Sequence, residues 1–377
     1  MKILFDGRPI RTPLSGVARY CANLSHHLSL IARQENRAQI EVFCQDWKSR
    51  NTELQTIIAN NDASFRCQDQ INPKLANILF EFFPSYAKHF HNKKFDIIHE
   101  TYFANLGKKT KEKKVVTIHD VIPLDCPEYF NQKNSFFSKR NFYRQVKEAD
   151  HIICVSEYTK LKVIEYSDYQ GPISVIPCGV ESPTAPTSES QAKTKDEKRT
   201  IDILCLGNIE PRKNIVALAS AVAILNKKSP DFRLIVAGYG NYRAAEIISE
   251  SREILGDNLN YLGPISDTEK WRLLRNVDLF VFPSLYEGFG IPVIESYRAK
   301  CAPIFSNCSS LTELAVDERQ LFDPRSPIDI AQTIDRFTHD AALKAQTIEK
   351  AQANLPKYSW PEIAQNVYNI YQALIDN

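Results

Sequence analysis

The first 180 residues alternate short apolar runs with longer amphipathic segments. The apolar runs stand at 2–6, 40–44, 95–100, 114–120, 151–156 and 173–177. Runs that are apolar nearly throughout are typical of parallel strands covered on both faces. The segments between them, such as 16–34 and 135–149, have the pattern of helices with one apolar face. This alternation predicts a doubly wound α/β domain.

The same pattern restarts after a polar stretch. Residues 181–200 are rich in Pro, Ser, Thr and Lys and have almost nothing to bury, which predicts a linker. Beyond it, strands are predicted at 201–207, 232–238, 259–263, 277–284, 302–306 and 321–323. We therefore predict Rossmann-like domains over 1–180 and 201–357, with a ligand-binding cleft between them.

The chain ends in a predicted helix over 358–377. Ser359 can cap this helix, and Pro361 suits its first turn.

Composition and charge limit the function classes. The chain has 377 residues, of which 43% are hydrophobic and 24% charged, and no run of about 18 apolar residues that could span a membrane. The start of the chain has the pattern of a strand rather than a signal peptide. The nine cysteines form no CxxC pair, so we expect free thiols and a cytoplasmic protein.

The segment 284–300, SLYEGFGIPVIESYRAK, joins a predicted strand to a predicted helix. Gly288 and Gly290 allow a sharp turn and a close approach of the backbone to a ligand. The amides of Phe289, Gly290 and Ile291 would then lie at a helix N-terminus, where an anion is stabilised.

Two acids flank this predicted anion site. Glu287 precedes it and Glu295 lies eight residues later, in the helix. Each acid could reach past the anion and accept hydrogen bonds from hydroxyl groups. A nucleotide sugar has this arrangement, with a diphosphate between a ribose and a hexose. The alternative is structural: Glu287 caps the helix and Glu295 is an exposed acid near its start.

Four motifs, together with the terminal helix, resemble the retaining glycosyltransferases of family 4. EGFGIPVIE (287–295) is similar to the E-x7-E signature of that family, and GNIEPRKN (207–214) to its diphosphate loop. TIHDVIP (117–123) resembles its His-Asp segment, and SGVARY (15–20) its N-terminal glycine loop. The resemblance implies a GT-B fold, α/β with two facing Rossmann-like domains, an interdomain cleft and a C-terminal helix that crosses back to the first domain.

The resemblance also implies roles for single residues. Arg212 and Lys213 would neutralise the donor diphosphate and stabilise the charge of the leaving group. Glu295 would bind the ribose, Glu287 the hydroxyls of the sugar, and Gly16 would let its loop close over the phosphates. The alternative for the two cations is a solvated helix start, although cations are unfavourable there.

Two further residues are carried over from the same family. His119 would contact the transferred sugar, although a histidine at a strand end is often only structural. The backbone around Leu262 would contact the base. Asn208 follows the glycine of the phosphate loop, where some family members have arginine, so the diphosphate would depend more on Arg212 and Lys213.

The resemblance implies transfer with retention of configuration, by attack on the face that the diphosphate leaves. No Asp-x-Asp occurs in the chain, so no metal site and no cofactor are predicted beyond the donor itself. The motifs look most like those of bacterial mannosyltransferases that build O-antigen from GDP-mannose. A UDP-sugar or dTDP-rhamnose donor, or a sugar-nucleotide epimerase of the same fold, remains the alternative.

The acceptor is expected on the first domain and is predicted to be a glycan or a lipid-linked glycan. Segments 73–94, 107–114 and 136–147 mix aromatic residues with Lys and Arg. Such a surface predicts peripheral contact with the anionic inner leaflet of the membrane. The alternative is a helix pair whose lysines are simply solvated. No nucleic-acid-binding motif is present.

Overall fold

The chain divides into two structural units, each built on its own sheet. The computed structural model describes residues 1–10, 15–45, 63–68, 94–102, 106, 111–129, 132–181, 200–229 and 231–376. The first unit comprises Met1–Gly179 and Lys357–Asn377, and the second comprises Val180–Pro356. The predicted linker falls almost wholly outside the described residues. Of the three predicted basic-aromatic segments, only 136–147 is described throughout.

The first unit is built on a parallel sheet of seven described strands. Their order is β3-β2-β1-β4-β5-β6-β7, and every neighbouring pair is parallel. The strands are β1 (Lys2–Asp6), β2 (Gln39–Gln45), β3 (Ser64–Gln68), β4 (Ile97–Glu100), β5 (Lys113–Ile118), β6 (His151–Cys154) and β7 (Ile173–Val175). The order reverses between β1 and β4, as in other doubly wound sheets.

Four described helices of the first unit precede the linker. They are α1 (Gly16–Glu35), α2 (Ile122–Asp125), α3 (Gln132–Glu148) and α4 (Glu157–Tyr166). A core cluster joins α3 and α4 to the sheet, with Phe142 and Val146 from α3 and Val163 from α4. Long apolar stripes on these helices therefore supply the inner face that the sequence pattern predicts.

The second unit has a parallel sheet of six described strands in the order β10-β9-β8-β11-β12-β13. The strands are β8 (Ile201–Leu206), β9 (Phe232–Ala237), β10 (Leu259–Gly263), β11 (Leu279–Phe282), β12 (Pro303–Ser306) and β13 (Leu321–Phe322). The helices are α5 (Ile215–Asn226), α6 (Ala244–Leu255), α7 (Asp267–Asn276), α8 (Ile291–Arg298), α9 (Pro327–His339) and α10 (Ala341–Asn354). Together these elements bury one large apolar core.

Serine side chains set the start of several helices. Ser15, Ser156, Ser266 and Ser326 each accept a hydrogen bond from a first-turn amide, at the beginning of α1, α4, α7 and α9. Such a cap satisfies a backbone donor that has no partner within the helix. No described helix is long and apolar enough to cross a membrane.

The last helix, α11 (Trp360–Asp376), belongs to the first unit, as the predicted fold requires. It packs against α1, and the Tyr371 hydroxyl lies 2.5 Å from Nδ1 of His99 on β4. The Trp360 ring lies against Gly179, where a Cβ atom would be 2.3 Å from the indole. Only glycine fits at that position, so the end of the first unit and its returning helix are packed together without a gap.

Most of the cysteines whose side chains the structure describes follow the prediction. Seven are free, and burial raises the pKa of Cys154, Cys178 and Cys205 to about 12. The expectation of free thiols is wrong for Cys44, which is disulfide-bonded on β2.

Candidate active site

The main candidate residues lie at the point where the sheet order of the second unit reverses. Strands β8 and β11 are neighbours there, and their carboxyl ends carry the loops 207–214 and 283–290. Ligands of doubly wound folds bind beside the carboxyl ends of the strands at this switch point. The two loops contain Arg212, Lys213 and Glu287, which the sequence predicts as site residues.

Glu287 forms ion pairs with both predicted diphosphate ligands. Its Oε1 lies 2.5 Å from Nζ of Lys213, and its Oε2 lies 2.8 Å from Nη1 of Arg212. Arg212 also contacts Glu210 through Nη2 at 2.7 Å and donates from Nη1 to the carbonyl of Tyr286 at 2.8 Å. The side chains of this cluster are 11–16% exposed. Two cations and two acids are therefore held together in a largely dry environment.

Burial and the charges within this cluster shift the pKa values of Glu287 and Lys213. Burial alone would raise the pKa of Glu287, but the charges of Arg212 and Lys213 outweigh it and lower the pKa to about 2. Burial lowers the pKa of Lys213, and the attraction of Glu287 opposes that shift. Glu287 is therefore a carboxylate at neutral pH, and it keeps the nearby ammonium group protonated.

Hydrogen bonds tie the two loops to each other. The amide of Leu285 donates to the carbonyl of Arg212 at 2.8 Å. Asn214 adopts a left-handed conformation with φ of 57°, and its side-chain amide donates to the carbonyls of Pro283 and Pro324 at 3.2 and 2.7 Å. The positions of the cations are therefore fixed by the backbone of the opposite loop.

Serines after β12 hold the loop that carries Glu287. The Ser309 hydroxyl accepts from the Glu287 amide at 2.9 Å. The Ser310 hydroxyl lies 2.9 Å from the carbonyl of Glu287 and 3.1 Å from that of Phe289. Sequence reasoning missed these serines because nothing in their spacing links them to a loop about twenty residues earlier.

The glycine loop enters α8 through a backbone conformation that requires glycine. Gly290 has φ of 118°, and an added Cβ would lie 2.8 Å from Leu311 and 2.9 Å from Leu314. Phe289 is buried beside it, and Ile291 is the first residue of α8. No side chain caps α8, so the alternative in which Glu287 caps the helix is wrong.

Glu295 is buried on α8, which contradicts the alternative of an exposed acid. Lys270 on α7 donates to its Oε1 and also contacts Asp267 at 3.1 Å. The Lys270 ammonium lies 5.3 Å from the centre of the Trp271 ring. Among the residues that the structure describes, no hydrogen bond is made to Oε2 of Glu295, so one oxygen remains for a ligand.

Lys270 is a site residue that sequence reasoning missed. The sequence pattern of α7 is that of an ordinary helix, and Ser266 caps it by accepting from the amide of Glu269. The pattern does not show that a lysine on the same helix turns towards a carboxylate on another one. Leu262, predicted near the base, lies at the end of β10 and is 38% exposed.

His119 and Gly16 lie in the first unit. Gly16 is the exposed first residue of α1, directly after the Ser15 cap. His119 follows β5, and its Nε2 lies 3.1 Å from the carbonyl oxygen of Thr101. The imidazole and the Tyr20 ring are nearly perpendicular, with a centroid distance of 4.7 Å.

The surroundings of His119 fix its protonation. Burial lowers the pKa of His119 to about 4, and the hydrogen bond to Thr101 opposes the shift only in part. At neutral pH the ring is therefore neutral. Because a carbonyl can only accept, Nε2 carries the proton and Nδ1 is left as an acceptor. Within the described ranges Nδ1 of His119 makes no hydrogen bond, so it is available to a hydroxyl group.

The structure brings some of the predicted residues into direct contact and places the others elsewhere in the two units. Arg212, Lys213 and Glu287 are in direct contact, and the loop of Phe289 and Gly290 continues from them. Of the remaining residues, Glu295, Ile291 and Leu262 belong to the second unit. His119 and Gly16 belong to the first. Their roles towards a ligand stay predictions.

Two family models match the chain in succession. Residues 14–182 match "Glycosyltransferase Family 4" and residues 187–354 match "Glycosyl transferases group 1". The two matches take in nearly all of the sequence. The chain therefore belongs to the group 1 and family 4 glycosyltransferases, and its fold class is GT-B.

Several curated relatives are mannosyltransferases. O-antigen chain mannosyltransferase B of Escherichia coli is 24% identical over 99% of this chain and 100% of its own length. Serotype-specific mannosyltransferase WbdA of Escherichia coli is 30% identical over 67% of this chain, which spans only 32% of that relative. The phosphatidyl-myo-inositol mannosyltransferase of Mycolicibacterium smegmatis is 27% identical over 47% of this chain and 46% of its own.

Solved structures with the same fold match this chain at low sequence identity. Sucrose-phosphate synthase from Thermosynechococcus elongatus superposes with a TM-score of 0.74 at 19% identity, covering 100% of this chain and 99% of its own. Anabaena Alr3699/HepE in complex with UDP and glucose has a TM-score of 0.73 at 17% identity, covering 99% and 100%. At these identities the likeness establishes the fold alone.

Proposed function

We propose that the protein is a retaining mannosyltransferase. It would transfer mannose from GDP-mannose to a glycan or lipid-linked glycan during synthesis of a bacterial cell-surface polysaccharide. The observation that carries this proposal is the buried contact of Arg212 and Lys213 with Glu287 at the switch point of the second unit. The full-length similarity to an O-antigen mannosyltransferase supports mannose as the sugar.

The cation pair is suited to a diphosphate. Arg212 offers a planar set of donors for phosphate oxygens, and Lys213 adds a compact charge beside it. Glu287 and Glu210 balance these charges through direct ion pairs. A bound diphosphate would share the cations with Glu287, whose carboxylate would then accept hydrogen bonds from the sugar hydroxyls.

The reaction we propose proceeds on one face of the sugar. The bond between the anomeric carbon and the diphosphate oxygen breaks while the acceptor oxygen bonds to the same face, and the acceptor proton passes to a phosphate oxygen. Arg212 and Lys213 would stabilise the negative charge that develops on the leaving diphosphate. Their charges would do this without a metal ion or a further cofactor.

His119 would hold the sugar rather than transfer a proton. A neutral imidazole with a proton on Nε2 can only accept at Nδ1, so it would take a hydrogen bond from a sugar hydroxyl. Glu295 would accept from the ribose hydroxyls through the oxygen that Lys270 leaves available. Gly16 and the backbone at Leu262 would complete the donor site against the phosphates and the base.

The proposed location is the cytoplasm, where the protein would meet nucleotide-sugar donors. The seven free cysteines support a reducing compartment, whereas the disulfide at Cys44 does not. Peripheral contact with the inner leaflet would bring it to a lipid-linked acceptor.

A thermal-shift panel of nucleotides and nucleotide sugars tests the donor. We expect GDP-mannose to raise the melting temperature more than GDP-glucose, UDP-glucose, UDP-N-acetylglucosamine or dTDP-rhamnose. Incubation of GDP-mannose with and without a mannose-terminated acceptor then tests the reaction. Mannose transfer that requires the acceptor supports the proposal, whereas conversion of the donor alone would indicate an epimerase. Stabilisation by a UDP-sugar or dTDP-rhamnose alone would overturn the choice of donor.

A further inference from the structure

Arg212 is held by two acids whose surroundings differ. Glu287 contacts its Nη1 at 2.8 Å, and Glu210 contacts its Nη2 at 2.7 Å. The other oxygen of Glu287 lies on Lys213, the second cation of the cluster. The other oxygen of Glu210, Oε2, accepts a hydrogen bond from the side-chain amide of Asn241 at 2.9 Å. Glu287 is therefore shared between two cations, whereas Glu210 is shared between a cation and a neutral donor.

The backbone holds Asn241 in place from both sides. Its amide donates to the carbonyl of Ile209 at 3.0 Å, and its carbonyl accepts from the amide of Ala244, at the start of α6, at 3.1 Å. The amide of Ile209 in turn donates to the carbonyl of Tyr239 at 2.8 Å, and the Ile209 side chain is fully buried in the core of the second unit. Although Asn241 is exposed, its position is therefore set by the loop that follows β9.

Glu210 also begins the turn that carries both cations. Its backbone is extended, and its carbonyl accepts from the amide of Lys213 at 3.0 Å. The residues Pro211–Lys213 then form a single helical turn. The backbone of Glu210 thus sets where Arg212 starts, and its carboxylate contacts the far end of the same arginine.

A diphosphate would affect the two acids differently. It would share both cations with Glu287, so both oxygens of that acid would have their contacts weakened at once. Glu210 would keep its hydrogen bond to Asn241 and would remain beside Arg212. A side chain that is already held in place loses less conformational freedom on binding than one that the ligand must order.

We propose that Glu210 is a positioning residue for the diphosphate: together with Asn241, it holds the Arg212 guanidinium in the orientation that the ligand meets. Glu287 is then the exchangeable partner of Arg212, and Glu210 is the fixed one. This role rests on the proposed function, because it takes the anion at Arg212 to be the diphosphate of a nucleotide sugar.

The alternative is that Glu210 only balances charge. Two cations and two acids leave the cluster without net charge. Removing one acid would leave one excess positive charge, which favours an anion. Charge balance therefore predicts that loss of Glu210 strengthens diphosphate binding, whereas positioning predicts that it weakens diphosphate binding.

Calorimetric titration with inorganic pyrophosphate distinguishes these two roles. The probe carries the diphosphate without a base or a sugar, so it tests the site whichever donor the protein uses. Glu210→Ala should weaken pyrophosphate binding at least about fivefold, because the ligand must then order Arg212 itself. Glu210→Gln keeps the length of the side chain and an acceptor for Arg212, so it should bind pyrophosphate at least as tightly as the unchanged protein.

Two further variants test whether the effect passes through Arg212. Asn241→Ala changes no charge and should weaken pyrophosphate binding by about two- to threefold. Combined with Glu210→Ala, it should cause no further loss, since the amide acts only through that acid. In an Arg212→Ala background, Glu210→Ala should not weaken binding further, because the residue that it positions is gone.

Matched variants at exposed positions of the second unit serve as controls. Asn260→Ala lies on β10 and Glu253→Ala lies on α6. Both should bind pyrophosphate like the unchanged protein. Melting temperatures show that every variant is folded.

Two results would overturn the positioning role. One is tighter pyrophosphate binding by Glu210→Ala than by the unchanged protein, and the other is an equal loss in Glu210→Ala and Glu210→Gln. Failure of the unchanged protein to bind pyrophosphate or any nucleoside diphosphate would overturn the proposed function and the positioning role together. The predicted losses with pyrophosphate, without stabilisation by any nucleotide sugar, would support the positioning role and overturn the proposed function alone.

Discussion

The ammonium of Lys213 lies 2.5 Å from the carboxylate of Glu287, although 74 residues separate them in the chain. Both side chains are nearly nine-tenths buried. Such a pair is costly to desolvate and gains most of its stability from mutual contact, so removing one partner is far more damaging than removing both. The contact also places a cation and an acid at the end of neighbouring strands, where a charged ligand can reach them.

Glu287→Ala should lower the free energy of unfolding by about 3–5 kcal/mol, because it leaves a buried ammonium without its carboxylate. The Lys213→Met and Glu287→Leu double variant should recover at least half of that loss. Urea unfolding of the single and double variants measures both values. The exposed pair of Glu269 and Arg272 is the control, since Glu269→Ala should cost no more than about 1 kcal/mol. Equal losses in the buried and exposed pairs would contradict this account.

Glu295→Ala should weaken donor binding, and Lys270→Ala should weaken it less. Lys270 orients the carboxylate, whereas Glu295 would itself contact the ribose. The two changes should therefore not add: the double variant should bind as weakly as Glu295→Ala alone. Calorimetric titration with the nucleotide sugar measures the three affinities. Additive losses would show that Lys270 binds the donor on its own, and unchanged affinity in Glu295→Ala would remove the proposed ribose contact.

Gly290→Ala should destabilise the second unit by at least about 2 kcal/mol, from a backbone conformation that alanine avoids and from overlap with two leucines. Gly256 offers a matched control. Its φ of 55° is also positive, but nothing lies within 4 Å of an added Cβ. Gly256→Ala should therefore cost less than Gly290→Ala, because only its backbone conformation opposes the added Cβ. Chemical denaturation of the two variants measures both losses in the free energy of unfolding. Similar losses would show that the side chains around Gly290 do not exclude an added Cβ.

Stability should fall as the pH drops from about 7 to about 5, because of buried histidines. Burial is the main cause that lowers the pKa of His99 to about 3. Electrostatic interactions with His119 and His151 lower the same pKa to a smaller extent. In the unfolded chain each such histidine binds a proton near pH 6.5, whereas in the folded protein it stays neutral. Each therefore contributes up to about 1.4 kcal/mol per pH unit to the pH dependence of the free energy of unfolding. Carboxylates with a lowered pKa, such as Glu287, lose their contribution only below about pH 4.5.

Unfolding measurements at three pH values check this slope. His99→Gln should reduce it by about 1.4 kcal/mol per pH unit. His339→Gln, at an exposed position on α9, should leave it unchanged. A slope that is the same in His99→Gln as in the unchanged protein would show that His99 takes up a proton in the folded state.

Most strands could be predicted because parallel strands buried on both faces have a distinct apolar pattern. The runs at 2–6 and 259–263 have the same bounds in the structure. The described strand that the pattern missed is β3, which lies at the edge of its sheet next to β2. An edge strand needs fewer apolar residues, and its sequence SFRCQ alternates polar and apolar positions over only five residues.

The residues of the site could be predicted, but their contacts could not. Spacing and residue type indicate Glu287 and Glu295 as acids around a glycine loop. The partner of each acid comes from a distant part of the chain: Arg212 and Lys213 for Glu287, and Lys270 for Glu295. Such contacts depend on how the strands are ordered in the sheet, which a linear pattern does not encode.

The most direct test of the proposed donor site is the contribution of the second phosphate to nucleotide binding. Calorimetric titration compares GDP with GMP, and then UDP with UMP. The unchanged protein should bind the diphosphate at least about tenfold more tightly than the monophosphate, because each charge-assisted hydrogen bond contributes about 1.5–3 kcal/mol. The Arg212→Ala and Lys213→Ala double variant should bind diphosphate and monophosphate equally. Equal affinities in the unchanged protein, or a full preference for the diphosphate in the variant, would contradict the account.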